Sequence, residues 1–170
     1  HSLQIARLAE TIFDAVASKY NLDRSHRILL SAAALLHDIG YYISHEDHHK
    51  HSAYLIRNSE LTDFSEEQRK VIAAVARYHR GALPKEKHPE IAELSPNLRE
   101  IVLKLGGILR LSDALDRSYD NRVENLRVKL NGAKINIKLE SQKNCEREIQ
   151  AAEQKRQLFE IAFDCRLEIS

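Results

Sequence analysis

Apolar residues recur at helical intervals through the first two thirds of the chain. Ile5, Ala9, Ile12, Phe13 and Val16 share one side of a predicted first helix. A turn at Asn21-Leu22-Asp23 separates it from a second, whose apolar run Ala32-Ala33-Ala34-Leu35-Leu36 ends at His37-Asp38. A third helix is predicted from Lys50 to Asn58, with His51 in its first turn. Ser65-Glu66-Glu67-Gln68 reads as a capping box opening a fourth, with Val71, Ile72, Val75, Tyr78 and His79 on one stripe. Arg80 to Glu93 is polar and punctuated by Gly81, Pro84 and Pro89, the pattern of an ordered surface loop. Ser95 and Pro96 then supply an N-cap and a first-turn proline for a helix that turns Leu98, Val102, Leu105, Leu109 and Ser112 inward, with Asp113 and Asp116 at the edge of that face. Gly106-Gly107 in its middle costs about 1 kcal/mol per residue relative to alanine, which predicts a closely packed neighbour.

Beyond Asn121 the period shortens to two. Leu126, Val128 and Leu130 alternate with polar residues, Asn131-Gly132 makes a hairpin turn, and Ile135, Ile137 and Leu139 alternate again. A charged helix is predicted from Glu146 to Phe159, and a third strand from Ile161 to Ile169 with Phe163, Cys165, Leu167 and Ile169 alternating. The fold class is mainly α with a small C-terminal ββαβ unit, α+β overall, divided into a helical domain over 1–121 and a ββαβ subdomain over 122–170.

Charge narrows the partners. The 26 basic and 25 acidic residues leave a net charge of +1, so there is no global field for DNA or an anionic membrane, and any anion binding is local. No apolar run is long enough to span a bilayer, and Cys145 and Cys165 lack metal-type spacing; a reducing cytoplasm is the expected compartment. The chain opens on His1 and contains no methionine, so a piece of a longer protein is expected.

His37-Asp38 carries the chemistry. An imidazole and a carboxylate at the end of an apolar helix are costly to bury, and a divalent cation compensates both. His1, His51, His79 and Asp113 lie on or beside other inward-facing segments, completing a nitrogen-and-oxygen ligand set that suits one or two ions of Mn, Fe, Ni, Co, Zn or Mg. With its two oxygens Asp38 is placed to bridge a pair of ions, His1, His37 and Asp113 on one side, His51 and His79 on the other. His45, His48 and His49 fall in a polar loop and read as solvated, and His26 and His88 as surface residues.

The order His1, His37-Asp38, Asp113 resembles the signature of the HD superfamily of metal-dependent phosphohydrolases. Leu35-Leu36-His37-Asp38-Ile39-Gly40-Tyr41-Tyr42, the run His48 to Asn58, Arg77-Tyr78-His79-Arg80, and Leu109 to Ser118 are more narrowly similar to the C-terminal region of the exopolyphosphatase and guanosine pentaphosphate phosphatase family, Ppx/GppA. The resemblance implies an HD-domain-like helical bundle. It also implies upstream actin-like phosphatase domains in the parent chain, polyphosphate or a phosphorylated nucleotide as ligand, and a homodimer. With five glycines and no Asp-x-Gly-Gly-Gly run, this chain lacks the phosphate loops of the family's catalytic domains. Tyr41 stands where cyclic-dinucleotide phosphodiesterases have lysine, and their Gly-Tyr-Pro motif is missing, which disfavours those substrates.

Two functions follow. One is an accessory domain of an exopolyphosphatase-like hydrolase that binds metal, helps bind polyphosphate or regulates the upstream domains, with Arg57, Arg77, Arg80, Lys85 and Lys87 guiding the polyanion. The alternative is a self-sufficient metal-dependent phosphohydrolase acting on nucleotides or other phosphoanhydrides, with Asp38 as the catalytic, metal-bridging residue and Arg80, Lys85 and Arg117 binding substrate.

Overall fold

The apolar stripes pack as their spacing demands. The structure, a computed structural model, describes residues 1–170. Helices α1 (Ser2–Val16), α2 (Arg24–Leu36), α3 (His48–Asn58), α4 (Glu66–Arg77), the short α5 (Pro89–Ala92) and α6 (Pro96–Ala114) precede a hairpin of β1 (Asn125–Asn131) and β2 (Lys134–Glu140). Helices α7 (Glu146–Lys155) and α8 (Gln157–Phe163) and strand β3 (Arg166–Ile169) complete the chain, giving the mainly α, α+β class. No helix is long and apolar enough to cross a membrane.

Caps explain the helix starts. Asp23 accepts from the backbone of Ser25 and His26 at α2, Ser65 and Gln68 form the reciprocal box at α4, and Ser95 caps α6 ahead of Pro96. Both His26 and His88 are employed in local structure: the His26 ring accepts from the Asp23 backbone N–H, and Nδ1 of His88 lies 2.8 Å from the Tyr78 hydroxyl.

Strand β2 is central, antiparallel to β1 and parallel to β3, in the order β1-β2-β3. The parallel pair requires a crossover, which α7 and α8 provide. One hydrophobic core runs through both the helical part and the sheet, from Ile5 and Leu8 to Ile135, Phe159 and Leu167.

The C-terminal segment corrects two expectations. The helix predicted over 146–159 is broken at Arg156 into α7 and α8, and the residues from Ile161 to Phe163 belong to α8 instead of a strand. Leu158, Phe159 and Phe163 are buried at helical spacing, and their burial overrides the alternation that continues into β3. Asp164, in the left-handed region at φ 43°, ends the helix. The glycine pair of α6 meets this helix: a Cβ on Gly107 would lie 3.0 Å from Cα of Phe159.

Candidate metal centre

Helix ends converge on Asp38. Four histidines surround it, each with Nδ1 committed and Nε2 turned inward. His37 donates from Nδ1 to the Ala34 carbonyl at 2.7 Å and His79 to that of Ala76 at 2.7 Å, each closing the last turn of its own helix. His48 donates to the His45 carbonyl at 3.1 Å, and His1 to Oδ2 of the buried Asp116 at 2.8 Å. A carbonyl or carboxylate only accepts, so Nδ1 carries the proton and Nε2 presents its lone pair in the neutral ring.

Asp38 divides its two oxygens between two donor sets. Oδ2 lies 3.4 Å from Nε2 of His37 and 3.8 Å from that of His1, while Oδ1 lies 3.3 Å from Nε2 of His48 and 3.7 Å from that of His79. Asp113 joins the first set, its Oδ1 standing 3.7 Å from His1 Nε2 and 3.9 Å from His37 Nε2. The two sets of donors, His1-His37-Asp38 and Asp38-His48-His79, each have spacing suited to an ion.

The residues fit a cation and leave polar groups unsatisfied without one. Nε2 of His1 and of His37 are buried with no hydrogen-bond partner. The Nε2 atoms of His48 and His79 face each other at 3.3 Å, two lone pairs head to head once both Nδ1 protons are accounted for. Asp116 stands behind His1 where an orienting carboxylate would stand if His1 held an ion.

Protonation follows from the surroundings. Burial and the neighbouring His37 hold His79 down at about 3, so it is neutral at physiological pH, and burial also lowers His48. Burial works against the charged form of His1, but Asp113 and Asp116 outweigh it and lift the ring to about 9, so a cation bound at Nε2 would have to displace a proton from that atom. Burial likewise opposes ionisation of Asp113, yet His1 and Lys155 hold it well below the usual carboxylate range; Asp38 is lowered against the same burial by His37 and His79.

Sequence reasoning placed His1, His37, Asp38, His79 and Asp113 together, and all of them meet here. His51 does not. It lies in neither donor set, and His48 occupies the position expected of it. Helix α3 begins at His48, two residues earlier than predicted, so the buried stripe is His48, Ser52, Ile56, and that i, i+4, i+8 spacing was the available signal. His49 is buried as well, not solvated, while His45 is exposed.

An open cavity of about 300 Å³ adjoins both sets, lined by Asp38, His48, His79 and Asp113 together with Arg80, Arg117, Tyr41, Tyr119 and Lys155. Tyr119 stacks on His1 and Tyr41 on His48, each with centroids 4.0 Å apart, and Arg110 fixes the approach of Arg80 by donating to the carbonyls of Tyr78 and Gly81. Lys85 is not among the lining residues; it borders a separate cavity beside Arg99. Of the remaining basic residues expected to guide a polyanion, Arg57 is paired with Glu93 and Arg77 is buried near Glu90. Lys155, which sequence reasoning missed, reaches from α7 to Oδ2 of Asp113 at 2.5 Å.

Burial, with Arg77 nearby, pushes the His49 ring down to about 4 from an ordinary 6.5. The unfolded chain therefore takes up a proton that the folded chain refuses, and stability, full above pH 6.5, falls as pH drops toward 4. Urea unfolding of His49→Gln will show a smaller loss of stability between pH 7 and pH 5 than the parent chain.

Residues 1–158 match the family described as Ppx/GppA phosphatase, domain III. Over 57 residues the chain is 51% identical to a guanosine-5'-triphosphate,3'-diphosphate pyrophosphatase of Pseudoalteromonas translucida (strain TAC 125), a match covering 34% of this chain and 12% of that relative. The chain thus belongs to the Ppx/GppA phosphatase family, as its domain III.

Proposed function

We propose that this chain is the HD-type, metal-binding C-terminal domain of an exopolyphosphatase-like protein, where it holds two divalent ions and helps bind polyphosphate for upstream actin-like phosphatase domains. The observation that carries the reading is the division of Asp38: one oxygen to His1 and His37, the other to His48 and His79. Divalent ions in these sets supply positive charge against phosphoryl oxygens and acidify water. Arg80 and Arg117, at the cavity wall, bind the outer phosphoryl oxygens. Asp116 fixes the His1 ring, Lys155 keeps Asp113 ionised and oriented, and Tyr41 and Tyr119 shield the imidazoles from solvent. The free thiols of Cys145 and Cys165 suit the cytoplasm.

A second reading, a self-sufficient phosphohydrolase acting on nucleotides, is favoured by the openness of the same cavity to both donor sets. Assays of polyphosphate and nucleotide binding and turnover, before and after chelation, separate the two. The accessory reading expects metal-dependent polyphosphate binding without turnover, weakened about tenfold in Arg80→Ala. Metal-dependent release of phosphate from nucleotides establishes the second reading, and binding indifferent to chelation overturns both.

A further inference from the structure

The carboxylates of the centre do not divide their oxygens alike. Both oxygens of Asp38 meet imidazoles, whereas Asp113 turns Oδ1 toward His1 and His37 and gives Oδ2 to the Lys155 ammonium at 2.5 Å. One side of Asp113 is therefore already taken by a cation.

The fold holds Lys155 in that place. It is the last residue of α7, where the carbonyl end of the helix favours a positive charge. Helix α8, which follows after Arg156, packs closely against α6 at Gly107, and α6 is the helix that carries Asp113. Of the α7 residues that line the cavity, Ala151, Gln154 and Lys155, only Lys155 is charged. The pair is mostly buried, so solvent and salt screen it less than they screen a surface ion pair.

The charges of the centre are matched before any ion enters. Three carboxylates, Asp38, Asp113 and Asp116, stand at it, and three cations, Arg80, Arg117 and Lys155, line the adjoining cavity. The imidazoles ligate as neutral rings. Two divalent ions thus bring positive charge that no acid is left over to offset, and an anion in the cavity relieves the excess. Arg80 and Arg117 are exposed, where water screens them, while Lys155 touches a carboxylate of the donor set itself. It bears most directly on the balance.

We propose that Lys155 sets the charge of the centre: by capping Asp113 it weakens the hold of the His1-His37-Asp113 set on its ion until a phosphate group enters the cavity, so that ion and phosphate tighten one another. The inference rests on the metal-binding reading above and deepens it from two donor sets to an order of filling, in which the Asp38-His48-His79 set takes the tighter ion. By linkage, phosphate tightens the weaker ion by the same factor by which that ion tightens phosphate.

Calorimetric titration of the chelated protein with Mn, with and without inorganic phosphate, tests this. In the parent chain the weaker of the two ions is expected to bind about tenfold tighter when phosphate is present. Lys155→Met keeps the stem and removes the charge; without phosphate it should bind that ion about tenfold tighter than the parent does, and gain little more when phosphate is added. Lys155→Arg, which keeps the charge, should behave as the parent. Circular dichroism reports whether the variants fold, and the parent titration stands without them. A parent whose ion affinities are the same with and without phosphate overturns the proposal and leaves metal binding standing, as does a folded Lys155→Met chain that binds the weaker ion no tighter than the parent. A parent that takes up no Mn under either condition overturns the metal reading, and the proposal with it.

Discussion

Gly40→Ala will destabilise the fold by about 3 kcal/mol or more and lower Tm by roughly 6–12 °C. An added Cβ would stand 2.0 Å from the carbonyl oxygen of His48 and 2.5 Å from the backbone nitrogen of Ser52. Both are backbone atoms of α3, so no side chain can swing aside to relieve the clash. The Gly40 N–H also donates to the Ser52 hydroxyl at 2.9 Å, a bond that seats the turn after Asp38 against α3. Forcing the two apart moves His48 away from Oδ1 of Asp38, so ion affinity should fall with stability. Thermal unfolding followed by circular dichroism checks this, and a Tm within about 2 °C of the parent chain would show that the close approach is not required.

Asp38→Asn acts on the centre itself. The amide keeps the volume of the carboxylate but removes the charge shared by both donor sets, leaving the first set Asp113 and the second none. Affinity for divalent ions is expected to fall at least about 100-fold, beyond the range seen when outer-shell partners of a ligand are lost. The fold should survive, because Asp38 borders the open cavity and is not a member of the apolar core. Calorimetric titration of the chelated protein with Mn or Zn reads the affinity, and far-UV circular dichroism confirms the fold.

Most of the framework was legible because burial and period coincide in it. The stripes of α1, α4 and α6 and the alternation of the hairpin read directly as elements, and the residues of the Asp38 cluster that end or adjoin such stripes read with them. His48 was not, since its segment Ser44 to Lys50 is polar throughout and the start of α3 is set by packing against Gly40, a tertiary contact. Lys155 and Asp116 were missed as parts of the centre for a related reason. Lys155 is 42 residues from Asp113 and sits on a helix whose composition reads as a solvated face, while Asp116 matters through its bond to His1 at the opposite end of the chain. Lys85 illustrates the reverse error. It was expected to bind substrate beside Arg80, but the loop after Arg80 carries it to another cavity.

Ion counting tests the account most directly. The chelated protein would be reloaded with Mn, Zn or Fe, desalted and analysed for metal per chain. Two ions are expected in the parent chain and in His51→Ala, one in His48→Ala and none in Asp38→Asn. A parent chain that retains no metal, or an Asp38→Asn chain that retains as much as the parent, would contradict the reading of Asp38 as the carboxylate shared by two ions.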